Sequence, residues 1–152
     1  MQPIVGSKIY KLADSKGREL TNQEILEAFK KEFVNVEDSF FLKHYEILAN
    51  ESEDGQVCCQ ATILVSGNNY EIKGIGNGPI NAFVNALETV GQKSFKLTDY
   101  RSHAIKGGSD ADSAAYIFLE SNEGHGAWGC GVDPSIEIAG VKALVSALNL
   151  LK

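Results

Sequence analysis

The sequence predicts an α+β domain of two tandem βββα units, antiparallel sheets carrying their helices on one face, preceded by a connector helix. Two observations predict it. The chain repeats itself internally, and each repeat holds strand-like segments between turn residues followed by an amphipathic helical segment. The composition agrees: 152 residues, 43% hydrophobic and 22% charged, lie in the ordinary globular range. A chain of that length can bury a core without disulfides or a metal.

Residues 1–38 stand outside the repeat. A polar turn at Asp14 to Arg18 precedes Thr21-Asn22-Gln23-Glu24, a capping box, with Leu20 and Ile25 placed to form a hydrophobic staple. Ile25, Phe29 and Phe33 then mark one face of a helix of about three turns. Such an appendage reads as a connector to something upstream. Residues 39–152 form the main domain, with repeat one at 40–91 and repeat two at 95–151.

An offset of 55 positions aligns nine identities over 40 positions, among them Phe40/Phe95, Leu42/Leu97, Tyr45/Tyr100, Gly74/Gly129, Gly76/Gly131 and Pro79/Pro134. Average residue usage would give roughly two or three by chance. After the prolines the offset becomes 57, pairing Ala82/Ala139 and Leu87/Leu144, which a two-residue insertion at the start of the second helix would explain. In repeat one, 40–49, 56–66 and 70–74 read as strands, with a hairpin turn at Gly67-Asn68-Asn69. Pro79 suits the first position of a helix with Ile80, Phe83, Leu87 and Val90 on one face and Gly91 as its C-terminal cap. Repeat two follows with strands at 95–105, 111–120 and 127–131. Its helix spans 134–150, with Asp133 as cap and Pro134 as first residue.

Charge and cysteine usage exclude several functions. A net charge of −6 argues against nucleic acid or an anionic membrane, which need a basic face. No stretch approaches the length of a membrane-spanning helix, and Met1 to Tyr10 lacks the apolar run of a signal peptide. Cys58, Cys59 and Cys130 are an odd set with two adjacent members, a poor disulfide framework that fits a reducing, cytoplasmic compartment. His44, His103 and His125 have no zinc-site spacing. No catalytic residue and no metal ligand emerge, and no cofactor is expected in this chain.

Two segments invite a ligand. Gly74-Ile75-Gly76-Asn77-Gly78 lacks the spacing of a dinucleotide fingerprint, but a strand turning tightly into a helix exposes amides that attract an anion, such as an amino acid's carboxylate. Asp99-Tyr100-Arg101-Ser102-His103-Ala104 leads into Gly108-Ser109-Asp110-Ala111, where a tyrosine and two alanines could leave a small apolar pocket. An ammonium there would need Asp110 or backbone carbonyls.

These segments, together with Trp128-Gly129-Cys130-Gly131, resemble the C-terminal regulatory domain of 2-isopropylmalate synthases, over roughly residues 18–151. Homocitrate and citramalate synthases are relatives. The resemblance implies an upstream TIM-barrel domain holding a divalent metal and condensing acetyl-CoA with a 2-oxo acid. It also implies a regulatory domain that is not itself an enzyme, forms a homodimer, and binds leucine to feed inhibition back to the barrel. Carried over by motif, the leucine-contacting positions are Gly76, Asn77, Gly78 and Ile80 at the helix-opening loop, with Leu97, Tyr100, Ala104 and Ala111 from repeat two. Asp110 joins them on charge grounds. The alternatives are a citramalate synthase domain that binds isoleucine, and a domain that dimerises without binding an effector.

Overall fold

The computed structural model describes residues 11, 17, 20–35, 37, 39–48, 56–90, 95–105 and 112–151. Helix α1 spans Asn22–Phe33. Three strands follow, β1 (Phe40–Leu48), β2 (Val57–Val65) and β3 (Asn68–Gly76), then α2 (Pro79–Glu88). The second unit repeats the pattern with β4 (Phe95–Ala104), β5 (Ser113–Ser121), β6 (Gly126–Asp133) and α3 (Ile136–Leu150). Each unit is a three-stranded antiparallel sheet, ordered β1-β2-β3 and β4-β5-β6. The fold class is the α+β pair of βββα units that the periodicity predicts.

Strand alternation decides which side chains enter the core. Cys59, Ala61, Ile63 and Val65 of β2, and Ala115, Ile117 and Leu119 of β5, join one buried cluster with Phe83 and Leu87 of α2 and Val141 and Leu144 of α3. Burying each large side chain contributes about 1.5–3 kcal/mol. Small residues let the layers meet closely. A side chain on Gly74 would run into the backbone of Ala82 and Ala86, and one on Gly131 into that of Ala139 and Ala143.

Those glycine contacts relocate the insertion. Gly74 corresponds in space to Gly131, not to Gly129, so the offset is already 57 in the third strand. The first strands do keep the offset of 55, since the same bulge interrupts Leu42/His44 and Leu97/Asp99. Phe40 pairs with Val65, however, whereas Phe95 pairs with Ser121. One extra residue therefore enters before β5. A second enters the hairpin after it. In unit one the turn is Ser66-Gly67, with φ of 48° and 85°, the positive pair that suits the twist of the flanking strands. In unit two Ser121 bonds His125 across a loop closed by Gly124 at φ 87°. The extra residues thus sit in two connections rather than at the second helix.

Three local expectations change as well. Asn68 and Asn69 belong to β3, paired with Val65 and Leu64, because Ser66-Gly67 already supplies the turn. Helix α3 starts at Ile136 and is capped by Ser135, whose hydroxyl accepts from the Ile138 amide at 3.4 Å. Asp133 instead accepts from the Ser135 amide at 2.9 Å and from Lys142 Nζ at 2.8 Å. Gly91, the expected cap of α2, lies outside the described residues; α2 ends with the Thr89 hydroxyl donating to the Ala86 carbonyl at 2.6 Å.

Helix α1 begins with the expected capping box. The Thr21 hydroxyl accepts from the Glu24 amide, and the Glu24 carboxylate accepts from the Thr21 amide. It lies beside the edge strand β6. Val34 bridges to Cys130, and Asn35 fastens that end: its amide donates to the Cys130 carbonyl at 2.8 Å, and its side chain accepts from the Val132 amide and donates to the Val132 carbonyl. The Ser146 hydroxyl of α3 donates to the Phe33 carbonyl at 2.8 Å. Asn149, one turn on, holds both the amide and the carbonyl of Phe40.

Candidate functional site

The β3–α2 corner is built from two asparagines on α2. Asn81 accepts from the Asn77 amide at 3.1 Å, and Asn85 donates to the Ile75 carbonyl at 2.7 Å. Gly78 is the N-cap, in extended backbone, and no side chain caps the helix. Pro79 has no amide to satisfy, so the uncapped donors of the first turn are those of Ile80 and Asn81. A helix N-terminus in that state favours negative charge.

Beside this corner lies a cavity of about 480 Å³. One wall is the first turn and a half of α2: Gly78, Pro79, Ile80, Asn81 and Val84. The other is β4, through Leu97 and Tyr100. The cavity is apolar over most of its lining and polar at the helix end. A side chain at Gly78 would meet nothing within 4 Å, so glycine there leaves the mouth clear. Tyr100 is 40% exposed. The volume lies in the range of small-molecule sites.

Of the residues singled out in the sequence, Gly78, Ile80, Leu97 and Tyr100 come together here. Gly76 is buried beneath α2, where a side chain would strike Asn81 and Ala82. Asn77 is exposed, with its amide committed to Asn81. Ala104 sits exposed at the far end of β4, paired with Ser113. Asp110 and Ala111 lie outside the described residues. Sequence reasoning missed Pro79, Asn81 and Val84 as lining residues. Val84 was within reach, since it follows Ile80 by one helical turn on the same face.

The duplication supplies a counterpart, a cavity of about 160 Å³ between Tyr45 and Ser135, Glu137 and Ile138. Tyr45 corresponds to Tyr100, and Ser135 to Gly78. The Tyr45 ring packs edge-on to Phe83 with centroids 6.1 Å apart. Its hydroxyl is buried with no partner among the described residues. Burial first, and then Cys59 and Glu137, push its ionisation above the usual phenol range.

Nucleophilic chemistry finds no support in the thiols. Cys58, Cys59 and Cys130 are buried and free. Burial pushes Cys59 and Cys130 up to about 11, which leaves them protonated at neutral pH, whereas a nucleophilic cysteine is a thiolate. His103 stacks on Tyr116 at 5.6 Å. Among the described residues no three His, Cys, Asp or Glu side chains gather as metal donors, and no described helix is long and apolar enough to cross a membrane.

Comparison with known proteins gives a consistent picture. The family model described as "LeuA allosteric (dimerisation) domain" matches residues 19–152. The 2-isopropylmalate synthase of Mycobacterium leprae is 38% identical over 141 residues, covering 93% of this chain and 23% of that protein. That of Clostridium acetobutylicum is 36% identical over 155 residues, covering 100% of this chain and 28% of its own length. The Thermobifida fusca enzyme is 38% identical over 141 residues, 93% of this chain and 24% of that protein. The chain thus spans about a quarter of the length of these relatives.

Proposed function

Because the chain belongs to the LeuA allosteric (dimerisation) domain family, we propose that it is the feedback-regulatory and dimerisation part of a 2-isopropylmalate synthase and that leucine is its effector. The acetyl-CoA-dependent condensation, with its divalent metal, belongs on this reading to a TIM-barrel domain upstream of the chain. The relatives carry the name 2-isopropylmalate synthase.

One observation carries the reading: an apolar cavity of about 480 Å³ that ends at the uncapped first turn of α2. The carboxylate of leucine sits against the Ile80 and Asn81 amides, where backbone donors and the helix dipole favour an anion. The isobutyl group lies among Val84, Leu97 and Tyr100. The ammonium calls for a carboxylate or backbone carbonyls as acceptors.

The same surface serves assembly. Tyr100 and Ile136 are large apolar side chains 40% and 44% exposed, and a second copy of the chain covers them in the homodimer. Leucine changes the output of the parent enzyme only by binding one dimer arrangement more tightly than another, since equal affinity shifts nothing.

Isothermal titration of the chain with leucine, isoleucine and valine tests this. Heat of binding with leucine, at an affinity at least about tenfold above valine, is the expected result. A preference for isoleucine reassigns the domain to the citramalate synthase type. Silence with all three leaves dimerisation alone.

A further inference from the structure

Repeat one has Phe83 where repeat two has Gly140. The correspondence is fixed by packing: Gly74 lies against Ala82 and Ala86, and Gly131 against Ala139 and Ala143, which pairs each α2 residue with the α3 residue 57 positions later. Phe83 is wholly buried and fills the space beside Tyr45. Gly140 is also buried, but nothing projects from it. A methyl group built there would stand 2.7 Å from Ile80 Cδ1, 3.4 Å from Ile80 Cγ1 and 3.3 Å from the Tyr100 hydroxyl oxygen. Both neighbours line the 480 Å³ cavity.

We propose that Gly140 sets the depth of the effector pocket: with no side chain on α3 at this point, Ile80 and Tyr100 draw back and the room they vacate receives the ligand's branched group. Gly140 is a positioning residue, acting through Ile80 and Tyr100 without touching the ligand. The contrast between units supports it. With phenylalanine at this place the corresponding cavity is about 160 Å³, and with glycine it is about 480 Å³. Glycine in a helix interior is also a poor choice for stability, where alanine is better, so the helix bears a cost that the pocket explains. An alanine methyl lies inside contact distance of Ile80 Cδ1. The far end of that side chain must swing away, and the open direction is into the cavity.

This deepens the leucine reading and rests on it, so the test separates the two. Wild type, Gly140→Ala, Gly140→Ala with Ile80→Val, and Ile80→Val alone are titrated with leucine and valine, with thermal unfolding recorded for each. Gly140→Ala is expected to melt no lower than wild type and to lose leucine affinity by about tenfold or more, with a smaller loss for valine. Ile80→Val removes the Cδ1 atom that the new methyl meets, so the double variant recovers most of the leucine affinity. Should Gly140→Ala melt early, Ile80→Val alone decides, since it enlarges the same space and raises the leucine-to-valine ratio. If wild type binds leucine and Gly140→Ala binds both ligands at the wild-type ratio, the role of Gly140 is overturned while the effector assignment stands. If wild type binds neither, both fall.

Discussion

The hydroxyl of Ser146 on α3 donates to the backbone carbonyl of Phe33, the last residue of α1, at 2.8 Å, and both residues are buried. A helix that leads in from outside the repeats is thereby tied to the helix that lies against both sheets. Ser146→Ala leaves the Phe33 carbonyl short of a partner, an effect of about 1–3 kcal/mol. Urea unfolding of the variant is expected to show a loss in that range. Hydrogen exchange of the α1 amides is expected to accelerate more than that of α3, because α3 is also held by its packing against β5 and β6. Equal acceleration in both helices would mean that the bond does not hold the connector.

Gly74 gives a sharper stability prediction. A side chain there meets backbone atoms of Ala82 and Ala86, which cannot step aside without lifting α2 from β3. Gly74→Ala should cost more than about 3 kcal/mol, at the upper end of overpacking effects. Gly78→Ala is the comparison, since its new methyl meets nothing within 4 Å and the backbone is extended; it should unfold within about 1 kcal/mol of wild type. Denaturant midpoints of the two variants decide the matter, and equal midpoints would contradict the packing.

Asp133 carries a pH dependence. Burial by itself would raise its carboxyl, but the Lys142 hydrogen bond, the Ser135 amide and the Lys142 charge together bring it below the ordinary 3.8. A carboxyl depressed in the folded state adds stability that is fully present above the unfolded value and is lost as pH falls through the folded one. Acidification below 3.8 should therefore remove this contribution, while Asp133→Asn should lack it at every pH. Melting temperatures of the two proteins are expected to differ at neutral pH and to converge in acid. Lys142 is about a third exposed, so solvent screening keeps the difference to about 1 kcal/mol.

Much of this fold was legible before any coordinates. The duplication, the strand periodicity and the capping box at Thr21 are local signals, and each produced its element. What failed was registration between the units. Gly74/Gly129, Gly76/Gly131 and Pro79/Pro134 are identical in sequence yet do not occupy equivalent places, because single residues added in two loops shift the later pairings. An alignment of letters cannot see a strand slipping by one position; the bulges and the glycine contacts can. The site was half legible for a related reason. Ile80, Leu97 and Tyr100 carry the apolar pattern that marks a pocket wall, but Asn81 reads as an ordinary helix residue until its side chain is seen spending itself on the Asn77 amide. That bond moved the open donors from Asn77 to Ile80 and Asn81. Gly140 was invisible in the sequence, since only the packing shows Ile80 and Tyr100 resting against it.

Amide NMR of the labelled chain during titration with leucine addresses the effector pocket most directly. Saturable shifts should be largest at Ile80 and Asn81, accompanied by Val84, Leu97 and Tyr100, with the smaller cavity at Tyr45 and Ser135 little affected. A leucine titration that leaves Ile80 and Asn81 unmoved, or that perturbs the Tyr45 side instead, would contradict the placement of an amino acid's carboxylate at the first turn of α2.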